Sequence, residues 1–314
     1  MELGNKTSVT EFILEGLPNT REQPSLFFLI FLLIYLLTLL GNGLTLLTVL
    51  CNPQLHNLPM YCFLGHLSVL DACLSSVTVP KIMAGLLGPE GRAISFHSCV
   101  VQLYTFHFLG STECFLYTVM AYDRFLAICH PLRYNTMMSR RICLGLAAGT
   151  WLTGSVHAAI HTTLTFRLPY CGPNQVEYFL CDIPPVLKLA CASTASNQVT
   201  ILANIGVVAV GCLLLICVSY AYIVTAILKI RTAEGKRQAF STCSAHLILV
   251  LLCYGPPVFI YLHPFSSKAS DGAVAVFYTA VIPLLNPFIY TLRNKEMIKA
   301  IRKLACGQGL FRHV

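Results

Sequence analysis

The chain has 314 residues, 56% of them hydrophobic and only 11% charged, with a formal net charge of +8. A soluble domain carries about 25% charged residues, so this composition excludes an ordinary water-soluble globule and specifies a membrane protein. The basic excess falls on one face of that membrane, as the loop charges show, and gives no reason to invoke nucleic acid.

Gaps between charges bound the spans, since about 20 apolar residues cross a hydrocarbon core of about 30 Å. The first span, Ser25 to about Leu50, is aliphatic apart from Gly41-Asn42-Gly43. Small residues there permit close helix approach, and Asn42 can hydrogen-bond across helices as packing glue. Residues 51–57 are too polar and proline-interrupted to stay in lipid and form a turn. Leu55 to Tyr61 opens the second span, about Leu58 to Pro80, with Pro59 in a first turn where its missing N–H costs nothing. Asp71 then lies about 20 Å inside that helix, at 1.5 Å per residue. An intramembrane carboxylate marks a functional position and needs a partner.

Glu113, on the third span (about Cys99 to Tyr122), is the candidate partner at a similar depth. Two carboxylates cannot both stay charged in low dielectric without a cation or a shared proton. The alternative is that Glu113 hydrogen-bonds locally as a neutral acid. The span closes on Met120-Ala121-Tyr122-Asp123-Arg124-Phe125, an acid–base pair at the edge of hydrocarbon. Such a pair is either a helix end reaching for water or a working site. Counting back from Arg124 by three or four gives Met120, Tyr117, Glu113, Gly110, Phe106 and Leu103, one stripe of one helix. Phe106, His107, Gly110 and Ser111 at its upper end are bundle core or pocket lining.

The fourth span lies between Arg141 and Arg167, the fifth between Lys188 and Lys229, the sixth between Arg237 and Lys268, the seventh between Asp271 and Arg293. In the sixth, Tyr254-Gly255-Pro256-Pro257 interrupts backbone bonding and bends the helix, with Tyr254, Val258 and Tyr261 on one face. The seventh ends Pro283 to Tyr290, where Pro287 frees a carbonyl and Asn286 can satisfy polar neighbours. Arg293 to Leu304 reads as a short surface helix, apolar at Met297, Ile298, Ile301 and Leu304 and basic at Lys295, Lys299, Arg302 and Lys303.

Loop charge orients the bundle. With the amino terminus outside, the outer segments sum to −1, the inner segments to +11 and the spans to −2. The first 24 residues show no basic region followed by a short apolar run and cleavage site, so no signal peptide is read and the first span inserts uncleaved. Asn5-Lys6-Thr7 is a glycosylation sequon on the lumenal side. Of the 15 cysteines, Cys99, Cys171, Cys181 and Cys191 fall on outer segments, and four such residues allow three pairings. Cys306, beyond a basic stretch near the inner face, is a candidate for palmitoylation. No internal repeat supports a transporter, and no Gly-x-Ser-x-Gly or His-Glu-x-x-His supports an intramembrane enzyme.

Taken together, Pro59-Met60-Tyr61, the Met120 to Pro131 run, Ser219-Tyr220, the Phe240 to His246 run and Pro283 to Tyr290 resemble the vertebrate odorant receptors, within the rhodopsin-like (class A) G-protein-coupled receptors. The likeness extends from Gly41-Asn42 to Arg293-Asn294-Lys295-Glu296 and favours the tetrapod-type branch. It implies an all-α membrane protein: a bundle of seven transmembrane helices with a short amphipathic helix after the seventh span. It also implies one receptor domain over 1–314, with 1–24 extracellular, 25–292 the bundle and 293–314 a cytoplasmic tail, in the plasma membrane.

The resemblance assigns roles as well. Asp123 and Arg124 are expected to form an ionic lock, with Arg124 released to the G-protein α subunit and Tyr220 and Tyr290 closing around it. His246, Asn286 and Pro287 belong to the same switch. Asp71 and Glu113 are expected to line a sodium pocket. Cys99 is expected to pair with Cys181, leaving Cys171 with Cys191. A small volatile odorant is expected near Phe106, His107, Gly110, Ser111, Asn204, Val208, Tyr254, Val258, Tyr261 and Thr279. Partners are that odorant, a stimulatory heterotrimeric G protein raising cyclic AMP, and membrane lipid; no cofactor and no catalysis of its own are implied. The chain departs from the family pattern at Phe125 (commonly Tyr), Gln238 (usually Lys) and Cys253 (usually Phe).

Overall fold

The computed structural model describes residues 9–17, 20, 22–262, 268–291 and 294–305. The expected bundle of seven long helices is present: α1 Pro24–Cys51, α2 Pro59–Leu87, α3 Phe96–Cys129, α4 Arg140–Phe166, α5 Ala195–Lys229, α6 Ala233–Leu262 and α7, residues 268–291. Among the described residues six of these are long and apolar enough to cross a membrane by composition alone. The other, α3, is 34 residues long and polar at intervals: Gln102, His107, Glu113, Asp123, Arg124. Its position explains this. α3 runs through the middle of the bundle against α2, α4, α5 and α6, where neighbouring helices rather than lipid meet its side chains. On the periphery, α1 and α5 turn leucine and valine outward, as at Leu40 (68% exposed) and Val207 (73% exposed).

α2 continues past the expected stop at Pro80 to Leu87. The proline removes one backbone bond, but Ile82 beyond it is buried and Lys81 Nζ donates to the Ala93 carbonyl at 2.6 Å, so tertiary contacts outweigh the break. α7 also departs from a simple helix: a π turn at Phe277–Val281 separates Lys268–Val276 from Ile282–Thr291. At the inner end α8, Lys295–Ala305, starts on Asn294, whose Oδ1 accepts from the Glu296 and Met297 amides at 3.0 and 3.3 Å. Met297 and Ala300 are its buried positions, and Ile298, Ile301 and Leu304 are only partly covered.

A three-stranded sheet at the outer end was not legible in the sequence. β1 (Glu11–Leu14) pairs antiparallel with β2 (Ala93–Ser95), Phe12 opposite Ile94, and parallel with β3 (Gln175–Val176), Ile13 opposite Gln175. Alternation buries Phe12 and Leu14 beneath it. Two disulfides close this cap: Cys99–Cys181 and Cys171–Cys191, with Cα separations of 5.5 and 5.9 Å. The first ties the start of α3 to the loop before α5, so Asp182, next in that loop, is delivered over the bundle.

Candidate functional site

A cavity of about 180 Å³ lies beneath this cap, bounded by α3, α4, α5, α6, α7 and the outer loop. From α3 come Phe106, His107, Gly110, Ser111 and Cys114, spaced as the helical stripe requires. α5 adds Ile205, Val208 and Ala209; α6 adds Cys253, Tyr254 and Pro256; α7 adds Ala275 and Tyr278. A Cβ at Gly110 would come 3.0 Å from the Tyr278 hydroxyl, a tight contact that the tyrosine would have to relieve by a few tenths of an ångström.

Apart from the Tyr254 and Tyr278 hydroxyls and the thiols, the polar side chains of the cavity face α4 and the outer loop. His107 Nε2 donates to Asp182 Oδ1 at 3.0 Å, and the same oxygen accepts from the Ile183 amide. Ser111 Oγ lies 2.8 Å from His157 Nδ1. His161 Nε2 lies 3.2 Å from Asn204 Oδ1 and 3.1 Å from His157 Nε2. The amide oxygen only accepts, so His161 Nε2 carries hydrogen; His157 Nε2 then accepts, and its Nδ1–H donates to Ser111. The chain from Asn204 to Ser111 is thus directional. It presents a hydroxyl to the cavity.

Six of the ten expected ligand positions line this space: Phe106, His107, Gly110, Ser111, Val208 and Tyr254. Two do not. Asn204 is turned to His161, and Thr279 is fully buried with its hydroxyl on the Ala275 carbonyl at 2.8 Å. The π turn accounts for the second, because a wider turn rotates the following side chains and brings Tyr278 to the cavity in place of Thr279. Val258 and Tyr261 lie on α6 with side chains outside the described residues.

Below the cavity sit the buried acids. Glu113 accepts from the Tyr117 hydroxyl at 3.0 Å and the Tyr278 hydroxyl at 3.3 Å, and Asp71 accepts from Asn286 Nδ2 with both oxygens, at 2.9 and 3.0 Å. Asn286 Oδ1 and the Tyr290 hydroxyl nearby are buried without a partner. Among the described residues no three His, Cys, Asp or Glu side chains converge to hold a metal ion. Two carboxylates and an orphaned amide oxygen are an all-oxygen donor set, which fits a hard monovalent cation.

Lower still, His246 on α6 joins three helices. Its Nε2 lies 3.0 Å from the Tyr117 carbonyl, which can only accept, and its Nδ1 lies 2.9 Å from the Tyr220 hydroxyl. At the inner end of α3 the expected Asp123–Arg124 ion pair is not formed. Asp123 Oδ1 instead accepts from the Tyr134 hydroxyl at 2.7 Å, and Arg124 Nε is buried without a partner. Burial, reinforced by the adjacent carboxylate, pushes the Tyr134 phenol well above its usual value, so it remains a donor.

The Met120–Pro131 segment at this inner end, the cavity above it and the seven-helix frame all carry the marks of one family, and a family model described as "Olfactory receptor" matches residues 31–308. The chain belongs to the olfactory receptor family. Human olfactory receptor 10S1 is 64% identical over 303 residues, covering 96% of this chain and 91% of that one. Human olfactory receptors 10G7 and 10G4 are each 58% identical, over 97% and 96% of this chain and 98% and 97% of their own. The receptor is therefore a multi-pass membrane protein, a G-protein-coupled receptor for odorants rather than an enzyme.

Sequence reasoning missed several cavity residues of the receptor, including His157, Tyr178, Asp182 and Tyr278. His157 and His161 recur at a four-residue spacing on the fourth span, a helical signal that could have paired them. Asp182 offered only its adjacency to Cys181. Asn5 and Cys306 lie outside the described residues, as does the Gln238 side chain.

Proposed function

We propose that the receptor binds a small volatile odorant in the cavity beside Phe106, Gly110 and Tyr254 and signals through a stimulatory heterotrimeric G protein, raising cyclic AMP. One observation carries this reading: cavity residues Phe106 and Gly110 lie on the same stripe of α3 as Glu113, Tyr117, Met120 and Arg124. A ligand contact at the top and a partner contact at the bottom thus belong to one rigid element. The ligand would favour a state in which α6 swings outward, releasing His246 from Tyr117 and letting Tyr220 and Tyr290 close toward Arg124. Asn286 and Pro287 would supply the flexible, polar segment of α7. Mainly apolar walls with few polar groups suit modest affinity and broad tuning.

In this reading the receptor is a single domain over 1–314 in the plasma membrane, with its amino terminus outside, Asn5 glycosylated and the basic inner face against anionic lipid. A sodium ion would be held by Asp71 and Glu113, with Asn286 Oδ1 available to it, and would favour the unliganded arrangement. The test is a cyclic-AMP reporter in cells challenged with a chemically diverse odorant panel. A response lost when Asp123 and Arg124 are replaced, at equal surface expression, is the expected result. A response that survives would sink the coupling role.

A further inference from the structure

Cys114 on α3 and Cys253 on α6 face each other at the cavity floor, their sulfurs 3.7 Å apart. Both are free thiols. Cys114 is partly exposed to the cavity, while Cys253 is 1% exposed and contributes only to its wall. A disulfide is about 2.05 Å long, so closing the pair requires the sulfurs to approach by about 1.7 Å. Apolar contact with an odorant asks for no sulfur, and Cys253 stands where the family usually carries Phe. Two opposed thiols in a space open to small apolar molecules suit a different chemistry from simple contact.

We propose that Cys114 and Cys253 form a dithiol site that takes small apolar organic disulfides by thiol–disulfide exchange and ends as a covalent tie between α3 and α6. In the first step Cys114 Sγ attacks one sulfur of the guest R–S–S–R′. The guest S–S bond breaks, R′S⁻ takes the Cys114 proton and leaves as R′SH, and a mixed disulfide Cys114–S–S–R remains. In the second step Cys253 Sγ attacks Cys114 Sγ, its proton passing to the departing RSH. Two thiols are oxidised to one disulfide, and the guest is reduced to two thiols, so no other oxidant is required. Cys114 attacks first because it is the sulfur the cavity exposes; Cys253 resolves because it is the one in contact. The chemistry stands on this geometry alone, whereas its effect on signalling rests on the reading that α6 must move.

The experiment uses the full-length receptor in lipid nanodiscs incubated with diethyl disulfide, then alkylated, digested without reduction and mapped by mass spectrometry. The expected product is a linked Cys114–Cys253 peptide pair, with two ethanethiol molecules released and the link reversed by a monothiol. In Cys253→Ser the expected product is an ethylthio adduct held on Cys114. Wild-type receptor alone decides the matter if that variant fails to fold. Absence of both link and adduct overturns the site, as does a link that forms equally fast without the guest. In reporter cells the odorant response should be lost after treatment and return with the monothiol. A link formed with the response intact keeps the dithiol site and overturns its hold on α6. An unlinked receptor that still responds overturns the site and leaves the receptor reading untouched.

Discussion

At the scale of single residues, His246 joins more of the bundle than its size would indicate, because one imidazole bonds the α3 backbone and the α5 tyrosine together. His246→Ala removes both bonds and leaves a void. We expect a loss of about 2–4 kcal/mol of stability and raised ligand-independent cyclic AMP, read by thermal unfolding and basal reporter signal. Tyr134→Phe tests the inner loop: Asp123 loses its hydroxyl donor, a change of about 2 kcal/mol for a bond to a charged group. The folded protein holds this phenol above the usual value of about 10, so the bond's contribution is complete below that pH and fades only as pH rises through the higher folded value. Wild type and variant should therefore differ by a constant amount across neutral pH, and a difference that varies there would contradict the assignment. Phe125, opaque as a sequence departure, packs near the rings of Tyr222 (5.7 Å), His130 (5.4 Å) and Tyr122 (6.2 Å), so its ring serves as an aromatic contact.

Among the elements, α3 was the most legible and α7 the least. The three-to-four-residue stripe on α3 is a property of any regular helix, and it delivered Phe106, Gly110, Glu113 and Arg124 to one side without knowledge of the neighbours. The π turn in α7 depends on what the helix packs against, so Thr279 was expected where Tyr278 stands. The same limit hid β1, whose four residues make a strand only because β2 and β3 offer it backbone partners. Phe12→Ala should show how far that sheet holds the cap. Phe12 is fully buried against Phe96 and Tyr170, so truncation should cost about 3–5 kcal/mol and reduce cell-surface delivery, measured by flow cytometry against total protein. Undiminished surface delivery with unchanged thermal stability would show that the cap is held by its disulfides alone.

For the whole molecule, orientation is the property that composition addresses directly. The inner segments sum to +11 and the outer to −1, so an epitope placed at the amino terminus should stain on intact cells while one at the carboxyl terminus should need permeabilisation. Asn5→Gln should abolish the glycosidase-sensitive shift in gel mobility, and an unchanged shift would move the glycan elsewhere. Charge spacing and hydrophobic run length by themselves determined the seven spans and the loops between them, because a bilayer penalises every charge and unpaired backbone group according to depth. Periodicity likewise determined which α3 residues share a face. Only the tertiary structure decided that Asp182 would reach His107, that Asn204 would turn to His161, that Tyr134 rather than Arg124 would hold Asp123, and that two thiols on different helices would meet at 3.7 Å. Those pairings join residues 11 to 139 positions apart, and nothing local to either partner encodes the distance between them.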